Sequence, residues 1–465
     1  MEANLLVYSL SDLKQLNNKV YGVIGCPIRH SMSPEIHNRL FELNGIKAEY
    51  IMAKISGSEL KAAVDIFRKC FSGFNVTIPH KETIIPYLDK IDEKAKWYGA
   101  VNTVKNENGI LTGYNTDGDG FKYSLEKTNI NPRGKKVLIL GAGGVSRVIA
   151  YEIALMGGKI NIYSLEKTES LVNRLKEDLP DAEINGLESL KSTDIFDIII
   201  NGTPVGMWPL INHLPVREEI ISSAEAVFDA VYNPVRTKLL LKACEKGAAV
   251  QGGLLMLVSQ AAASQTIWTG KSFEESGIDN ICKKIKKELN DKFPVNIVLS
   301  GFMGSGKTTV GRCLAKYLKR EFYDLDRAIV KDNKMQIPEI FEKYGEDTFR
   351  EMESKALSGI AGKKGIVLAL GGGTLTKAEN INILKQNANI IIFLYTSPFK
   401  VLERVGNGES RPMLKGDIEE KINTLYKERR PLYIKASDIT VNSDNDIETV
   451  VNEILNALDL KEDML

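Results

Sequence analysis

A glycine-rich loop, GFMGSGKTT at residues 301–309, constrains the fold of this 465-residue chain more than any other stretch. It follows an apolar run, VNIVLS, and precedes a run in which apolar residues recur at helical spacing. A strand, a turn and a helix therefore succeed one another, and the loop fits G-x-x-x-x-G-K-[ST] without a mismatch. The sequence predicts a parallel α/β sheet that binds ATP at this turn.

The residues of this loop have separate expected tasks. The glycines let backbone amides face phosphate oxygens, Lys307 reaches the transferred phosphate as the catalytic lysine, and Thr308 supplies a hydroxyl to Mg²⁺. The residues expected to hold ATP are Gly301, Gly304, Ser305, Gly306, Thr308 and Thr309. ATP binding alone does not name the phosphoryl acceptor.

A second glycine loop, GAGG at residues 141–144, lies between the runs KKVLIL and VSRVIAYEIALMGG. A strand, a glycine turn and a helix start would place a dinucleotide pyrophosphate against exposed backbone amides. The third position of the G-x-G-x-x-G pattern is Ser146, which is small but not glycine. Taken alone, the loop also fits a plain structural interpretation, in which the glycines let a helix pack tightly on a strand.

The order of segments divides the chain. Strand-like and helix-like runs alternate, which indicates parallel sheets with crossover helices. The turn-rich stretch GYNTDGDG separates the first domain from the dinucleotide unit, and the polar stretch from residue 271 to residue 294 indicates a connecting helix and linker. The expected divisions are a first α/β domain at 1–115 with 252–272 returning to it, a dinucleotide domain at 116–251, a linker helix at 273–294, and an ATP-binding domain at 295–465.

Composition narrows the partners. Lys plus Arg is 61 and Asp plus Glu is 60, without a block of like charge, so we expect small solutes and neither nucleic acid nor a membrane surface as partners. The five cysteines are scattered without a C-x-x-C pair, which indicates reduced thiols and a cytoplasmic location. The first twenty residues lack the pattern of a signal peptide, and no apolar run reaches 18 residues. Oligomeric state cannot be inferred from these features.

Seven motifs between about residues 18 and 275 occur in the order typical of one enzyme family. They are HSMSPEIHN, FNVTIPHKE, GAVNTV, GYNTDGDG, NGTPVGM, FDAVYNP and GGLLMLVSQAA. On these motifs this part of the chain resembles the shikimate dehydrogenase family. The resemblance implies a split α/β substrate domain plus a Rossmann domain, and reduction of 3-dehydroshikimate to shikimate by a nicotinamide coenzyme.

The resemblance also assigns roles to residues of these motifs. Transfer of a hydride to a ketone leaves negative charge on oxygen, which needs a proton donor or cation nearby. Lys81 and Asp117 stand at the positions of the family's catalytic pair, although singly they would pass for an exposed lysine and a turn residue. The residues expected to bind substrate are Ser31 and Ser33 at the carboxylate, Tyr232 near it, and Thr77, Asn102 and Gln260 at the ring hydroxyls.

The coenzyme is the open point of this assignment. The residues expected at the coenzyme are Gly141, Ala142, Gly143, Gly144, Ser164, Glu166, Lys167, Thr203, Met207, Gly253 and Met256. The family commonly has Asn-Arg-Thr at the end of the second Rossmann strand, where this chain has Ser164, Leu165 and Glu166. A missing arginine disfavours the 2′-phosphate of NADP, whereas Lys167 favours it. We expect NADP on family grounds, with NAD as the alternative.

The motifs after the ATP loop resemble another family. They are YDLDRAI, IPEIFEKYGEDTFREMESKAL, LALGGGT, ESRPML and YKERRPLY, and on them residues 295 to the end resemble the shikimate kinase family. The resemblance implies a P-loop α/β domain like the nucleoside-monophosphate kinases, with a parallel sheet. It assigns Mg²⁺ to Thr308 and Asp324, the acceptor hydroxyl to Asp326, and a lid to Arg411.

Further kinase residues are expected to bind the acceptor. Arg350 and Arg429 are placed at its carboxylate, which suits the bidentate guanidinium fork, with Arg430 as the alternative to Arg429. Glycines at the acceptor would let the backbone approach closely, and they are Gly371, Gly372 and Gly373.

The two halves imply consecutive reactions, since the first would form shikimate and the second would phosphorylate it. We therefore expect a bifunctional enzyme of aromatic amino-acid biosynthesis that uses NADP or NAD, ATP and Mg²⁺. Two alternatives stay open. The first half could act on quinate with a kinase for another small hydroxylated metabolite, or one module could have lost chemistry and be regulatory.

Overall fold

The computed structural model describes residues 6–16, 18–29, 31–165, 168–405 and 418–461. The chain forms two compact units. The first unit comprises Met1–Thr203, Glu219–Tyr232 and Ala249–Glu288. The second comprises Pro204–Glu218, Asn233–Ala248 and Leu289–Leu465. The described residues contain no helix that is long and apolar enough to cross a membrane.

The first unit begins with a seven-stranded mixed sheet. Its strands are β1 Val7–Tyr8, β2 Val20–Gly25, β3 Tyr50–Lys54, β4 Phe71–Val76, β5 Lys90–Ile91, β6 Thr103–Glu107 and β7 Ile110–Tyr114. They lie in the order β1-β3-β2-β4-β6-β7-β5, and β6 is antiparallel to both of its neighbours. The antiparallel pairs depart from the expected parallel arrangement. The β6–β7 pair is antiparallel because Asn108 and Gly109 both have positive φ and form a tight hairpin turn.

The helices of this region pack on the sheet and lead into the second sheet. They are α1 Leu10–Leu13, α2 Ser33–Leu43, α3 Leu60–Cys70, α4 His80–Thr83, α5 Glu93–Tyr98 and α6 Asp117–Lys127. Phenylalanines at positions 67, 71 and 74 form part of a buried apolar cluster against this sheet. Ile84, at the end of α4, belongs to this cluster, whereas Phe121 and Leu125 of α6 belong to a second buried cluster.

The second sheet of this unit has six parallel strands. They are β8 Lys136–Leu140, β9 Lys159–Tyr163, β10 Ile184–Leu187, β11 Ile198–Asn201, β12 Ala226–Asp229 and β13 Ala249–Gly252. The order is β10-β9-β8-β11-β12-β13, so the winding reverses between β8 and β11. Ligands of such sheets bind at the carboxyl ends of the strands where the order reverses. The GAGG loop follows β8 directly, at that point.

The helices that accompany this sheet complete the region. They are α7 Gly144–Leu155, α8 Glu169–Asp178, α9 Glu218–Ile221 and α11 Gly253–Thr269. In this stretch of the chain, α10 Lys238–Glu245 lies in a segment that groups with the second unit. Helix α11 is buried at 10 of its 17 residues and packs on α6. A polar helix, α12 Glu275–Lys292, follows it.

The second unit contains a five-stranded parallel sheet. Its strands are β14 Asn296–Ser300, β15 Phe322–Asp324, β16 Val367–Ala369, β17 Asn389–Tyr395 and β18 Ile439–Asn442, in the order β15-β16-β14-β17-β18. Its helices are α13 Lys307–Leu318, α14 Leu325–Asn333, α15 Ile337–Ala361 with a kink at Gly345, α16 Ala378–Lys385, α17 Pro398–Val405, α18 Ile418–Ala436 and α19 Ile447–Ala457. Because β14 is central and buried, its carboxyl end places the phosphate loop mid-sheet.

Two segments inside the expected dinucleotide domain, residues 204–218 and 233–248, group with the second unit. Ile211 and Leu241 pack into the apolar cluster on one face of its sheet. Lys238 forms an ion pair of 3.0 Å with Asp438, which is buried at the start of β18. Apolar burial and this buried charge pair account for the grouping. The α/β class is confirmed by all three sheets.

Candidate active sites

The centre of the first site is an ion pair between the first turns of two helices. Lys81 is the second residue of α4, just after β4, and Asp117 is the first residue of α6. Lys81 Nζ lies 2.6 Å from Asp117 Oδ2, and the two side chains are 22 and 11% exposed. The ammonium is therefore held by a carboxylate while it still faces solvent. Such a group can donate a proton to a bound oxygen.

Two amide side chains join this pair. Asn102 is buried, and its Nδ2 donates to Asp117 Oδ1 at 2.8 Å, with Gln260 Oε1 3.3 Å away. Gln260 Nε2 donates to the Leu257 carbonyl at 2.9 Å, which turns its oxygen towards Asn102. Thr116 N–H donates to Asn102 Oδ1 at 2.9 Å and fixes the amide orientation. Four of the expected residues, Lys81, Asn102, Asp117 and Gln260, thus form one hydrogen-bonded group.

The remaining expected substrate residues lie outside this group. Ser31 Oγ donates to Ser33 Oγ at 3.0 Å at the start of α2. Thr77 follows β4, and its N–H donates to Ile24 O at 3.0 Å. Tyr232 is partly buried, and burial raises the pKa of its phenol. Among the described residues, no direct hydrogen bond joins the serine pair to the Lys81 group.

The dinucleotide loop is shaped by contacts between glycines and one serine. Gly141 has a φ of +99°, a conformation that favours glycine. A Cβ at Gly202 would lie 2.3 Å from Ser146 Oγ, so Gly202 makes room for the serine that replaces the third fingerprint glycine. Cβ atoms at Gly143 and Gly144 would meet nothing within 4 Å. Their backbone is therefore open to a ligand at the start of α7.

Other expected coenzyme residues are spread around this loop. Thr203 Oγ1 donates to Asn201 Oδ1 at 2.6 Å, just after β11. Ala142 is partly buried in the loop itself, and Ser164 follows β9. Gly253 begins α11, where a Cβ would lie 2.1 Å from Ala230 O, and Met256 is buried in the core of the Rossmann region.

The residues that bear on coenzyme choice are only partly described. Leu165 is 95% exposed. Glu166 and Lys167 lie outside the described residues. Met207 is 46% exposed and belongs to the 204–218 segment of the second unit.

The second site is built on the loop after β14. Gly301, Gly304 and Gly306 all have positive φ, which turns successive amides inward. Lys307 begins α13, and its Nζ donates to the carbonyls of Gly301 and Phe302 at 2.9 Å each. The lysine therefore folds back over the loop that is expected to hold phosphates.

A hydroxyl and a carboxylate meet beside this loop. Thr308 Oγ1 donates to Asp324 Oδ2 at 2.8 Å, while the N–H of Arg327 donates to Asp324 Oδ1 at 3.2 Å. No group of three or more His, Cys, Asp or Glu side chains that could hold a metal occurs in the described part of the chain. Mg²⁺ keeps several waters and takes few protein oxygens, so Thr308 and Asp324 fit it.

A cavity of about 420 Å³ opens over the phosphate loop. Its lining includes Lys307, Thr308, Asp324, Asp326, Gly372, Arg404 and Ser443. Thr309 also lines it, and Ser305 is fully buried beneath, where its carbonyl accepts from the Ser443 hydroxyl. The cavity joins the loop to the residues expected at the acceptor.

The acceptor side is organised around a buried carboxylate that the sequence does not single out. Glu353 is 1% exposed, and its Oε2 accepts from Arg350 Nη1 at 2.8 Å. Burial lowers the pKa of the Arg350 guanidinium, but the carboxylates of Glu353 and Glu346 outweigh burial and the pKa is raised. Arg350 therefore stays charged. A Cβ at Gly371 would lie 2.9 Å from Asp326 Oδ1, so glycine lets the backbone approach both acids.

The other two glycines approach cations. A Cβ at Gly373 would lie 2.3 Å from Arg350 Nη2. Arg429 is buried, and its Nη1 donates to Gly372 O at 3.4 Å, whereas Arg430 is exposed over the Tyr395 ring. Arg350 and Arg429 thus both lie beside the glycine triplet. Arg411 lies outside the described residues.

Sequence reasoning missed several residues of these sites. They are Thr116, Gly202, Glu353, Thr374, Arg404 and Ser443. Most belong to no local pattern, because they reach their partners only through the tertiary fold. Gly202 lies in the NGTPVGM motif, and the signal for its role is the serine at position 146 in place of the third fingerprint glycine.

Two family models match the chain. The shikimate dehydrogenase substrate binding domain matches residues 23–104, and shikimate kinase matches residues 303–459. The shikimate dehydrogenase (NADP(+)) of Caldanaerobacter subterraneus subsp. tengcongensis is 40% identical over 58% of this chain and 98% of its own length.

Solved structures give the same result for the first part. A chorismate mutase/shikimate 5-dehydrogenase fusion protein from Clostridium acetobutylicum is 35% identical with a TM-score of 0.54, over 59% of this chain and 100% of that one. Shikimate 5-dehydrogenase from Listeria monocytogenes, in complex with shikimate and NAD, is 33% identical with a TM-score of 0.51, over 58 and 96%. The chain belongs to the shikimate dehydrogenase family and carries a shikimate kinase domain after it, as its motifs predicted.

Proposed function

We propose that this chain reduces 3-dehydroshikimate with NADPH and then phosphorylates shikimate with ATP–Mg²⁺. The observation that carries the proposal is the presence, in one chain, of the Lys81–Asp117 pair at 2.6 Å and the phosphate loop with Thr308 on Asp324 at 2.8 Å. The alternative of a module without chemistry is disfavoured, because each site retains its charged centre.

In the first site, a reduced nicotinamide coenzyme would supply a hydride for the carbonyl carbon when it is bound. Lys81 Nζ donates a proton to the carbonyl oxygen as negative charge develops there, and solvent then returns a proton to the amine. Asp117 holds the Lys81 ammonium in place. It also accepts a hydrogen bond from the hydroxyl that forms when the carbonyl is reduced. Asn102 orients Asp117 through its bond of 2.8 Å.

Substrate recognition follows from the polar groups around this pair. Ser31 and Ser33 would bind the carboxylate through paired hydroxyls, with Tyr232 nearby. Asn102, Gln260 and Thr77 would bind ring hydroxyls, because amides and hydroxyls offer directional donors and acceptors. Each of these is a role that we assign, and each predicts a rise in KM when the side chain is removed.

The coenzyme that we assign is NADP. The named bacterial relative is an NADP⁺ enzyme, and Lys167 offers a cation in the right stretch of sequence. The Listeria relative was solved with NAD, and Glu166 favours a free 2′-hydroxyl. Comparing kcat/KM for NADPH and NADH tests the assignment: we expect a preference for NADPH, and a preference for NADH would overturn it.

In the second site, Thr308 and Asp324 would hold Mg²⁺, directly or through water, and the ion would neutralise charge on the phosphates. Asp326 would accept the proton of the attacking shikimate hydroxyl. Lys307 would leave the loop carbonyls to contact the transferred phosphoryl group. Arg350 and Arg429 would clamp the shikimate carboxylate, and Arg411 would close over the phosphates as part of a lid.

We also propose the domain division inferred from sequence, with a substrate domain at 1–115 and 252–272, a Rossmann domain at 116–251, a linker helix at 273–294 and a kinase domain at 295–465.

All five cysteines are free thiols, which supports a cytoplasmic location.

Half-reaction assays test the function directly. We expect the purified chain to oxidise NADPH only with 3-dehydroshikimate, and to form ADP only with shikimate and Mg²⁺. Faster turnover of dehydroquinate, or of another acceptor by the kinase, would instead support the alternative substrates.

A further inference from the structure

We propose that Arg147 is a positioning residue that ties the dinucleotide loop to the catalytic Lys81. This inference rests on the proposed reductase function. Arg147 lies in the first turn of α7, which starts at Gly144 in the GAGG loop. Any ligand held by that loop therefore contacts the helix that carries this arginine.

The guanidinium of Arg147 acts on Lys81 indirectly, through an ion pair with Glu82. Arg147 Nη2 lies 2.9 Å from Glu82 Oε1, and Glu82 follows Lys81 in helix α4. Because α4 is a single turn, a restraint on Glu82 also restrains Lys81.

A second contact of Arg147 reaches Lys81 through the backbone between Tyr98 and Val101. Arg147 Nη1 donates to the Tyr98 carbonyl at 3.2 Å, at the end of α5. Three residues later, the Val101 N–H donates to the Lys81 carbonyl at 2.8 Å. The next side chain, Asn102, bonds Asp117 at 2.8 Å. One guanidinium thus bears on both members of the catalytic pair.

The chemistry of arginine fits this task. A guanidinium presents several donors in a rigid plane and can bind a carboxylate and a carbonyl at once, which an ammonium does less well. The Arg147 side chain is 19% exposed and that of Glu82 is 57% exposed. An ion pair of this exposure adds little stability. Its loss should therefore appear in catalysis rather than in folding.

A neighbouring arginine provides a matched control. Arg174 Nη2 donates to the carbonyls of Lys96 and Trp97 at 3.1 and 3.0 Å. It binds the same end of α5 but does not reach Glu82. If binding the end of α5 were the whole role of Arg147, both arginines would matter equally.

The test compares Arg147→Met, Arg147→Lys, Glu82→Gln and Arg174→Met in the full chain. We expect Arg147→Met to lower the reductase kcat about tenfold, since a small misplacement of a catalytic group costs about that much or more. Arg147→Lys should recover part of the loss. The KM for NADPH, the kinase rate and the thermal midpoint should stay at wild-type values. The midpoint reports on folding, and the kinase rate reports on the amount of intact chain in the sample.

The pairing is tested by combining variants. Arg147→Met together with Glu82→Gln should lower kcat no more than Arg147→Met alone, since both substitutions remove the same ion pair between Arg147 and Glu82. Arg174→Met should leave kcat within about twofold of wild type, as expected for a surface contact. If Arg147→Met fails to fold, Glu82→Gln alone should still lower kcat by about threefold or more.

Four outcomes would overturn the inference. The first is an unchanged kcat in Arg147→Met or, where that variant does not fold, in Glu82→Gln. The second is additive losses of kcat in the double variant, and the third is an equal loss of kcat in Arg174→Met. The fourth is a rise in the KM for NADPH without a fall in kcat, which would make Arg147 a phosphate ligand. A wild-type chain that does not oxidise NADPH contradicts the proposed function itself, so the two failures are distinguishable.

Discussion

At the scale of single residues, both sites depend on charged groups held by a neighbour of opposite charge. Lys81 is fixed by Asp117, and Arg350 is fixed by Glu353. Asp117 could not be assigned from spacing, since 36 residues separate it from Lys81, whereas Glu353 lies only three residues after Arg350 on α15. The family resemblance named three of these four residues. Glu353 was missed because its role arises only when α15 packs beside the glycine triplet.

Removing the lysine ammonium should abolish only the first reaction. We expect Lys81→Ala to lower the reductase kcat by about 10² to 10⁴, the range for loss of a positioned acid, with the kinase rate unchanged. Lys94→Ala is the matched control, because Lys94 pairs with Asp119 on the same helix as Asp117 but both side chains are over 40% exposed. Reductase kinetics of each purified variant measure this. A wild-type kcat in Lys81→Ala would remove it from the mechanism.

The choice between two adjacent arginines can be tested in the kinase. Arg429→Lys should raise the KM for shikimate by about tenfold or more, because a buried bidentate fork is lost. Arg430→Lys, on an exposed side chain, should change KM by less than about twofold. Steady-state ADP formation measures both. The reverse ranking would transfer the role to Arg430.

At the scale of elements, local signals predicted local structure and failed where packing decides. The strand–turn–helix around each glycine loop could be predicted, because glycine spacing and apolar runs are contiguous in sequence. The antiparallel β6–β7 pair was not predicted, although Asn108-Gly109 is a strong hairpin signal. The contact between Gly202 and Ser146 joins the loop after β11 to the first turn of α7, so it cannot be read from either segment alone.

That contact predicts a pair of compensating variants. Gly202→Ala would place a Cβ 2.3 Å from Ser146 Oγ, so we expect a loss of about 1–3 kcal/mol in the free energy of unfolding. Ser146→Gly in the same chain should restore most of it. Urea unfolding followed by fluorescence measures the effect. Gly143→Ala, at an open position, is the control, and equal losses in both alanine variants would contradict the steric explanation.

The contact of α2 with α11 predicts a pH dependence of stability. His37 is fully buried, stacks on Tyr50 at 4.3 Å between ring centroids, and lies beside Gln265. Burial lowers the pKa of His37 to about 3. In the unfolded chain the His37 imidazole binds a proton below about pH 6.5, whereas in the folded chain it stays neutral. The contribution of neutral His37 to the free energy of unfolding is therefore lost as the pH falls from about 6.5 towards 3.

We expect this histidine to contribute a slope of up to about 1.4 kcal/mol per pH unit. His37→Asn should make the pH dependence shallower by one proton between about pH 6 and pH 4, whereas His213→Asn, at an exposed histidine, should not. Urea unfolding of the three chains across that range provides the measurement. Parallel curves for His37→Asn and wild type would refute the buried neutral state.

At the scale of the whole molecule, the chain combines two families whose reactions are consecutive. The α/β class and both families are confirmed. They could be predicted from the sequence because their motifs are dense and occur in order. The roles of single residues, the domain limits and the coenzyme stay predictions. NADP is expected from the family resemblance and not from the local residues, because Glu166 and Lys167 carry opposite charges in the stretch that contacts the ribose.

The most direct test of the central claim is a coupled assay of the purified full chain with 3-dehydroshikimate, NADPH, ATP and Mg²⁺. We predict shikimate 3-phosphate, with one NADPH oxidised and one ADP formed for each molecule of product. Omitting ATP should stop the sequence at shikimate, and Lys307→Ala should do the same with NADPH oxidation intact. A wild-type chain that lacks either NADPH oxidation or ADP formation with these substrates would contradict the bifunctional assignment.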